Sequence, residues 1–529
     1  MKKSIKKAIS GVLCATLVCG SVLGVIAGAN SGNESADSYV PVFRMAVASD
    51  IHLKGTSGYE ATSYRQFLRA MNAYADADEA YNGLDAVVVT GDLMHVSTYE
   101  AMNAVQTITA ENLRMDTAFL TMLGNHDHYY YGSGSTDKAY ETAMAEKLGV
   151  ESWKLTADGT TSWYQTQIDE RLDKHIIVNG MHLISLSTPD ENGNYTADQL
   201  QWLDEEIAKA ATDDPTKPIF TFQHHHVRNT VFSTTESPNT TNAKAYFRYA
   251  ANSSGLNEVY SKYPQVINLS GHTHAFSNNP RSIHQRDFTS ISVSAFQNSN
   301  IHTDDIYLND YGTVVNYPTS GYYPITSGGN FSSTDIYSYG RDYADICRII
   351  EVDGNGLVRV LTYDKQKKCL VHTPATTDGD AIMEWFIQIG KTAEETKANF
   401  VYTDDRVEAV TAPTWADGTS VSVLDDYTTD TTVALSFAQA NDDELLYGYQ
   451  IVLDDGVNEP ITKVYVDYGF LYGYDYDIET CTYGVEKPYI KGLTANTTYA
   501  VTITPINIWG KTGTPLTCTV TTAESTATE

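Results

Sequence analysis

The chain has 529 residues, a formal net charge of -31 at pH 7 and a hydrophobic fraction of 42%. This length exceeds that of one ordinary domain, so at least two domains are expected. The negative charge argues against nucleic-acid backbones and anionic membrane surfaces as partners, because both select proteins rich in Lys and Arg.

Residues 1–29 have the composition of a signal peptide. Lysines at the start precede an apolar stretch, and Ala27-Gly28-Ala29 forms a small-x-small cleavage site. We expect the mature chain to begin near Asn30 and to be secreted or held at the extracellular cell surface. The apolar stretch is also long enough to stay as an uncleaved anchor. After cleavage no stable membrane insertion is expected, because no second apolar stretch of spanning length follows.

Five apolar runs rich in Val, Ile, Leu and Phe predict mostly buried strands. They cover residues 43–48, 86–89, 118–123, 219–222 and 266–269. Two helices are predicted between them from apolar faces in residues 67–75 and 200–207, the second after a capping box of Thr196 and Gln199. Strands that alternate with helices indicate the α/β class.

Each run is followed, at most one residue later, by a short polar fragment. The fragments are Asp50-Ile51-His52, Gly91-Asp92, Gly124-Asn125-His126-Asp127, His224-His225-His226 and Gly271-His272-Thr273-His274. They lie at the carboxyl ends of strands, where sheet-based enzymes commonly place their ligands. A lone Asp-x-His or Gly-Asp would be weak evidence, but the joint occurrence of all five in strand-end context disfavours coincidence.

The side chains of these fragments predict a site for two divalent ions. Carboxylate, amide oxygen and imidazole, with no thiolate nearby, suit manganese, iron, zinc or cobalt in a catalytic rather than a structural site. Two such ions lie about 3.5–4 Å apart and clamp both oxygens of an in-line displacement. Asp92 is expected to bridge them, since Gly91 before it has no Cβ and lets the backbone come close.

The five fragments, in this order, resemble the calcineurin-like metallophosphoesterase family, whose blocks read D-x-H, G-D, G-N-H-D/E, H and G-H-x-H. The resemblance implies a four-layer α+β domain, in which two mixed sheets are flanked by helices. It implies hydrolysis of phosphate mono- or diesters by metal-bound hydroxide. It further implies the site residues: Asp50, His52 and His274 on one ion, Asn125, His224 and His272 on the other, Asp92 bridging, and His126 assisting the leaving group with Asp127 as its partner.

The ligand among residues 224–226 is chosen as His224 from the family pattern. In an extended segment His224 and His226 share a direction and His225 opposes them. An assignment one residue along therefore stays open, as does a phosphate contact by His225 or His226. Satisfied core or surface histidines are expected at His95, His128, His175, His182, His284, His302 and His372.

The catalytic unit is expected to end near Asp405. A hairpin of residues 346–352 and 357–363 and a helix of residues 382–398 are predicted after the last fragment. The tyrosine-rich residues 307–339 have the composition of a loop near the site, and loops carry specificity.

From residue 407 to residue 523 the sequence pattern changes to short segments in which apolar and polar residues alternate. This pattern predicts an all-β immunoglobulin-like sandwich. These residues resemble a fibronectin type III module, in which Tyr499 would be the corner tyrosine and Val501 and Ile503 would face the core. Residues 465–482 depart from the usual spacing. We expect this module to act as a spacer. The alternative is that it binds a glycan, a wall polymer or a protein partner.

Four cysteines follow the signal sequence. An oxidising compartment would permit bridges from Cys347 to Cys369 and from Cys481 to Cys518, but four cysteines allow three pairings and free thiols remain an alternative.

The sequence therefore predicts a signal peptide (1–29), a metallophosphoesterase domain (30–405) and a fibronectin type III-like domain (407–523). The expected activity is that of a secreted binuclear phosphoesterase with a small phosphoester substrate and manganese, iron or zinc as cofactors. The rival hypothesis is a cell-surface or wall-binding protein in which the metal domain is only a scaffold. That hypothesis predicts that ligand residues have been replaced, and none is replaced in the five fragments.

Overall fold

The structure is a computed structural model that describes residues 39–128, 173–232, 234, 249–275, 277–296, 346–371, 382–466, 485–486 and 488–525. The predicted signal peptide, residues 307–339 and Cys481 lie outside these residues, so export and the specificity loop stay predictions. None of the helices within the described ranges has the length and apolarity needed to cross a membrane.

The described residues up to 410 contain strands and α-helices in largely alternating order. The strands are β1 (Pro41–Ala48), β2 (Ala86–Val89), β3 (Ala118–Thr121), β4 (Lys174–Val178), β5 (Met181–Leu186), β6 (Ile219–Gln223), β7 (Val266–Ser270), β8 (Ile283–Gln285), β9 (Thr289–Ser292), β10 (Ile346–Asp353), β11 (Leu357–Asp364), β12 (Cys369–Leu370) and β13 (Glu384–Gln388). The helices are α1 (Tyr59–Ala77), α2 (Tyr99–Asn112), α3 (Ala197–Asp213), α4 (Ser253–Tyr260) and α5 (Ala393–Ala398). The five predicted apolar runs correspond to β1, β2, β3, β6 and β7.

These strands form two mixed sheets. The first has the order β12-β11-β10-β1-β2-β3, with β13 also paired to β11. Within it β1, β2 and β3 are parallel, whereas β10 and β11 run antiparallel to their neighbours. The second sheet has the order β4-β5-β6-β7-β9-β8, and β5, β6, β7 and β9 are parallel. The predicted α/β fold with two mixed sheets is confirmed.

Apolar side chains hold the sheets and helices together in four layers. The inner faces of the two sheets share one core, to which β1, β2, β6 and β7 contribute. Helices α1 and α2 cover the first sheet, where Phe67 and Met71 are buried at the predicted helical spacing. Helix α3, which begins with the predicted capping box, covers the second sheet through Leu203 and Ile207. Burial of each such side chain stabilises the fold by about 1.5–3 kcal/mol.

The helix predicted over residues 382–398 is wrong in its first half. Residues Glu384–Gln388 form β13, which pairs antiparallel with β11, and only Ala393–Ala398 is helical. Met383, Trp385, Ile387 and Ile389 are buried while the residues between them are more exposed, which is the period of a strand. The predicted hairpin is confirmed as β10 and β11.

A second unit follows residue 410, and its described part contains strands, turns and a short 3-10 helix, Asp425–Tyr427. Its strands are β14 (Ser422–Val423), β15 (Thr432–Ala438), β16 (Leu446–Asp454), β17 (Ile461–Val466), β18 (Val485–Glu486), β19 (Tyr489–Lys491), β20 (Thr498–Asn507) and β21 (Leu516–Thr521). One sheet joins β14, β15, β18 and β19, and the other has the order β17-β16-β20-β21. These sheets form the predicted immunoglobulin-like sandwich.

Tyr499 ties a turn of the sandwich to its core. The backbone N–H of Thr494 donates to the Tyr499 hydroxyl at 3.0 Å. Val501 and Ile503 are buried in the same core. These contacts agree with the predicted corner position.

The cysteines of the described part do not form bridges. Cys347, Cys369 and Cys518 are free thiols, so the bridge considered between Cys347 and Cys369 is not formed. Cys347 is buried instead with its Sγ atom 3.9 Å from the Sδ atom of Met71.

Candidate metal centre

The polar fragments converge where the carboxyl ends of both sheets meet. Five of their residues have the left-handed backbone conformation: Asp50 (φ 52°), His52 (φ 45°), Asp92 (φ 49°), His272 (φ 67°) and His274 (φ 55°). Residues other than glycine adopt this conformation at a cost of about 1–2 kcal/mol each. Such strain persists where the surrounding structure holds it, and it concentrates at functional sites.

Two glycines make the close approach of the fragments possible. Gly91 has a φ of 94°, and a Cβ there would lie 2.7 Å from the Nδ1 atom of His224. A Cβ at Gly271 would lie 1.8 Å from the Oγ atom of Ser49 and 2.7 Å from Oδ2 of Asp50. Side chains at these positions would therefore push the strand ends apart.

One group of side chains surrounds Asp50. The Nε2 atom of His274 lies 3.0 Å from Oδ1 of Asp50. The Nε2 atom of His52 lies 3.8 Å from Oδ1 of Asp50 and 3.8 Å from Oδ2 of Asp92. One ligand atom from each of these four residues lies within 4.8 Å of the others, which is compatible with a shared ion.

A second group surrounds His224. Its Nε2 atom lies 3.0 Å from Oδ1 of Asn125 and 3.3 Å from Oδ1 of Asp92. The ring of His272 lies 5.0 Å from the ring of His224, measured between centroids. Asp92 thus directs one oxygen to His52 in the first group and the other to His224 in the second.

A hydrogen bond at the far side of the His224 ring orients it. The Nδ1 atom lies 2.8 Å from the backbone carbonyl of Thr90, which can only accept a hydrogen bond. Nδ1 therefore carries the hydrogen, and in the neutral ring Nε2 has a free lone pair. This is the arrangement by which proteins prepare a histidine to bind a metal.

Several buried ring nitrogens of the two groups have no hydrogen-bond partner among the described residues: His52 Nδ1, His52 Nε2 and His272 Nε2. Buried polar atoms are normally satisfied, and buried carboxylates are normally paired or bound to metal. Asp50 and Asp92 are fully buried beside histidines. The carboxylate oxygens and the histidine nitrogens together are ligands that suit borderline divalent ions, so this set of residues fits a metal site.

Electrostatics of the site favour cations. Burial alone would raise the pKa of Asp50, but the adjacent His274 and His224 hold it well below its usual range. Burial likewise opposes ionisation of Asp92, yet His224 beside it keeps its pKa low. In turn, burial disfavours a charge on His224, and the carboxylates of Asp92 and Asp50 overcome this and raise its pKa to about 9.

His126 and Asp127 do not pair as expected. The Nδ1 atom of His126 lies 2.8 Å from the carbonyl of His95. The carboxylate of Asp127 instead accepts hydrogen bonds from the backbone amides of Met94 (2.9 Å), Leu93 (3.2 Å) and Gly124 (2.8 Å). Asp127 thereby fixes the two loops that carry Asp92 and Asn125. Burial and the charge of Asp92 raise its pKa to about 7.

The run of three histidines is not extended as assumed. Strand β6 ends at Gln223, and His224 and His225 lie in a bend, so side-chain alternation does not apply. The ring of His225 packs on that of His272, with 4.0 Å between centroids. His226 is buried, and its Nε2 atom has no hydrogen-bond partner in the described structure. A phosphate contact by either residue stays a prediction.

His95 belongs to the site, whereas a satisfied core or surface histidine was expected at this position. One of its ring nitrogens lies within 4.8 Å of a ring nitrogen of His52 and of His126. Its Nδ1 atom is buried without a hydrogen-bond partner in the described structure. The signal available in the sequence was its place in the loop that leaves β2 directly after Asp92.

Residues 43–276 match the protein family described as Calcineurin-like phosphoesterase, a range that contains every predicted metal ligand. No curated protein matches the chain.

A solved structure of purple acid phosphatase PPD1 from yellow lupin (Lupinus luteus) seeds is 10% identical over 66% of this chain and 54% of that chain, with a TM-score of 0.35. The fn3 domain of human contactin 1 is 10% identical over 23% of this chain and 87% of that chain, with a TM-score of 0.16. The FN5 domain of Drosophila Lar is 17% identical over 22% of this chain and 99% of that chain, with a TM-score of 0.14.

Proposed function

We propose that this protein is a binuclear enzyme that hydrolyses small phosphate mono- or diesters. Residues 43–276, which match the Calcineurin-like phosphoesterase family, form the domain that hydrolyses phosphoric esters with divalent metal ions. The observation that carries the proposal is the position of Asp92. Its two carboxylate oxygens face His52 and His224, which belong to separate groups of polar side chains. A carboxylate shared in this way suits a bridge between two ions.

The proposed ligands follow these two groups. Asp50, His52 and His274 would hold one ion; Asn125, His224 and His272 would hold the other; Asp92 would contact both. The contacts of 3.0 Å between His274 and Asp50 and of 3.0 Å between His224 and Asn125 support this division. Manganese, iron and zinc all accept such oxygen and imidazole ligands.

Divalent ions in this position would supply a nucleophile from water near neutral pH and would stabilise negative charge on the phosphoryl oxygens. The protein's own contribution is orientation and proton transfer. The hydrogen bond between Nδ1 of His126 and the His95 carbonyl holds the ring in place. We assign Nε2, the other ring nitrogen, to the leaving-group oxygen. His95 and His126 have ring centroids 5.7 Å apart and would flank the same oxygen.

The experiment is hydrolysis of a chromogenic phosphomonoester and of the corresponding bis-ester by the chelated protein, before and after addition of manganese, zinc or iron. Turnover that depends on added metal is expected, and the ratio of the two rates assigns the substrate class. Asn125→Ala should lose this turnover. Asn103→Ala, which changes an exposed asparagine on helix α2, serves as the matched control. Hydrolysis that persists in Asn125→Ala would contradict the proposed ligand set.

A further inference from the structure

The phosphoesterase domain and the sandwich meet at a stack of alternating aromatic and arginine side chains. In order these are Phe232, Arg281, Trp509, Arg406 and Tyr402, which we call the Trp509 stack. The guanidinium carbon of Arg281 lies 5.3 Å from the ring centroid of Phe232 and 5.5 Å from that of Trp509. The corresponding atom of Arg406 lies 4.5 Å from Trp509 and 5.5 Å from Tyr402. All four distances lie within the range of cation–π attraction.

Hydrogen bonds fix the stack from both sides. Nη1 of Arg281 donates to the carbonyl of Ile508 at 3.1 Å, directly before Trp509 in the chain. Nη2 of Arg406 donates to the carbonyl of Pro280 at 2.8 Å. The indole N–H of Trp509 donates to Glu444 at 3.3 Å. The tryptophan is therefore held in one orientation against the phosphoesterase domain.

The connection between the two domains is also attached at several points. The backbone amides of Val401 and Tyr402 donate to Oε1 of Gln285, at 2.9 and 3.0 Å. Asp404 lies 2.9 Å from the Nε2 atom of His284. A spacer that moves freely would lack such contacts, so the connection is attached to the phosphoesterase domain.

The stack reaches the segments that carry three of the proposed metal ligands. Phe232 lies on the segment that follows His224, and Arg281 lies on the segment that follows His274. The two segments are joined where the backbone N–H of Phe232 donates to the carbonyl of Arg281 at 2.9 Å. A displacement of Arg281 would therefore move both segments together.

We infer that Trp509 is a positioning residue for the metal centre: by stacking between Arg281 and Arg406, the sandwich holds the segments that follow His224 and His274. The inference rests on the proposed function, because it assigns the sandwich to the catalytic unit. Small misplacements of ligands are costly in enzymes, since a shift of about 1 Å can lower the rate by about 100-fold.

The test compares Trp509→Leu, Trp509→Phe and Trp415→Leu in the full chain. Trp509→Leu removes the aromatic face, whereas Trp509→Phe keeps a ring between the two guanidinium groups. Trp415 is the matched control, because it packs on Phe437 and Tyr449 inside the sandwich. The measurements are kcat and KM for the better chromogenic ester, and calorimetric unfolding of the metal-free protein.

Trp509→Leu is expected to lower kcat/KM by about tenfold and to separate the unfolding of the two domains into distinct transitions. Trp509→Phe should recover most of the loss. Trp415→Leu should lower the unfolding temperature of the sandwich and leave kcat/KM within about twofold of the wild type. Wild-type kcat/KM in Trp509→Leu, equal losses in Trp415→Leu, or no recovery in Trp509→Phe would overturn the inference.

Failure of the proposed function gives a different result. A wild-type protein that hydrolyses no phosphoester would refute that proposal directly. The calorimetric measurement then decides whether the stack couples the domains: separated transitions in Trp509→Leu support the coupling, and an unchanged profile overturns it.

Discussion

The Nε2 atom of His224 lies 3.3 Å from Oδ1 of Asp92. The other carboxylate oxygen of Asp92 lies 3.8 Å from Nε2 of His52. A single buried carboxylate is thus shared by two histidines that approach from different sheets. The chemistry proposed for the site depends on this sharing.

Asp92→Asn should lower kcat/KM by about 1,000-fold or more, because the amide cannot supply the charge that holds two ions. The fold should persist with a modest loss of stability, because the amide keeps the side-chain volume while His224 loses its charged partner at 3.3 Å. Turnover, metal content per chain and circular dichroism are the measurements. Asp116→Asn removes a carboxylate that is 73% exposed and should leave all three unchanged. Wild-type turnover in Asp92→Asn would refute the bridging role.

Metal affinity should rise with pH up to about pH 9. In the metal-free protein the pKa of His224 is raised from 6.5 to about 9, so the ring is protonated at neutral pH. This protonation stabilises the metal-free fold fully below pH 6.5, and the stabilisation is lost as the pH rises through 9. A metal needs the neutral ring, so affinity should increase by about tenfold per pH unit in this window.

Competition with a chelator between pH 6 and pH 9 measures this dependence, and calorimetry in buffers of different ionisation enthalpy counts the released protons. His224→Asn should flatten the profile. An affinity for the wild type that is independent of pH would contradict the assignment of His224 as a ligand.

His95→Gln should lower kcat by about 10- to 100-fold without loss of metal, because the ring faces His126 and is outside the proposed ligand set. Steady-state kinetics and metal content are measured together. His175→Gln is the control, since His175 contacts Glu206 on helix α3. Unchanged kcat in His95→Gln, or metal loss in parallel with the loss of activity, would show that this role is wrong.

Asp127→Ala should destabilise the protein by about 1–3 kcal/mol, because three buried backbone amides lose their acceptor. Asp127→Asn keeps one acceptor oxygen and should cost less. Chemical denaturation of the metal-free variants gives the free energies of unfolding. If Asp127→Ala were as stable as the wild type, the loops after β2 and β3 would not depend on this carboxylate.

The sequence allowed the strand ends and their polar fragments to be predicted, because an apolar run followed by a ligand residue is a local pattern. The partner of His126 was not predictable, since a backbone carbonyl is available anywhere and carries no sequence signal. The bend at His224 and His225 was missed because three identical residues give no periodicity. The strand Glu384–Gln388 was mistaken for a helix, although Trp385 and Ile387 alternate with more exposed residues.

The position of His95 shows a further limit of sequence reasoning. Its place in the loop after Asp92 does not show that it approaches His52, because that proximity arises only when the loops after β1 and β2 pair. The structure shows this pairing in the bridge between Leu53 and Met94. The contacts of Trp509 with Arg281 and Arg406 are likewise long-range, and no local pattern in the sandwich predicts them.

The binuclear mechanism is tested most directly by titration of the metal-free protein with manganese, with hydrolysis of the chromogenic monoester and bis-ester followed at each step. No turnover is expected without metal, and turnover should reach its plateau at two ions per chain. A protein that binds two ions per chain and hydrolyses neither ester, with manganese, zinc or iron, would refute this mechanism.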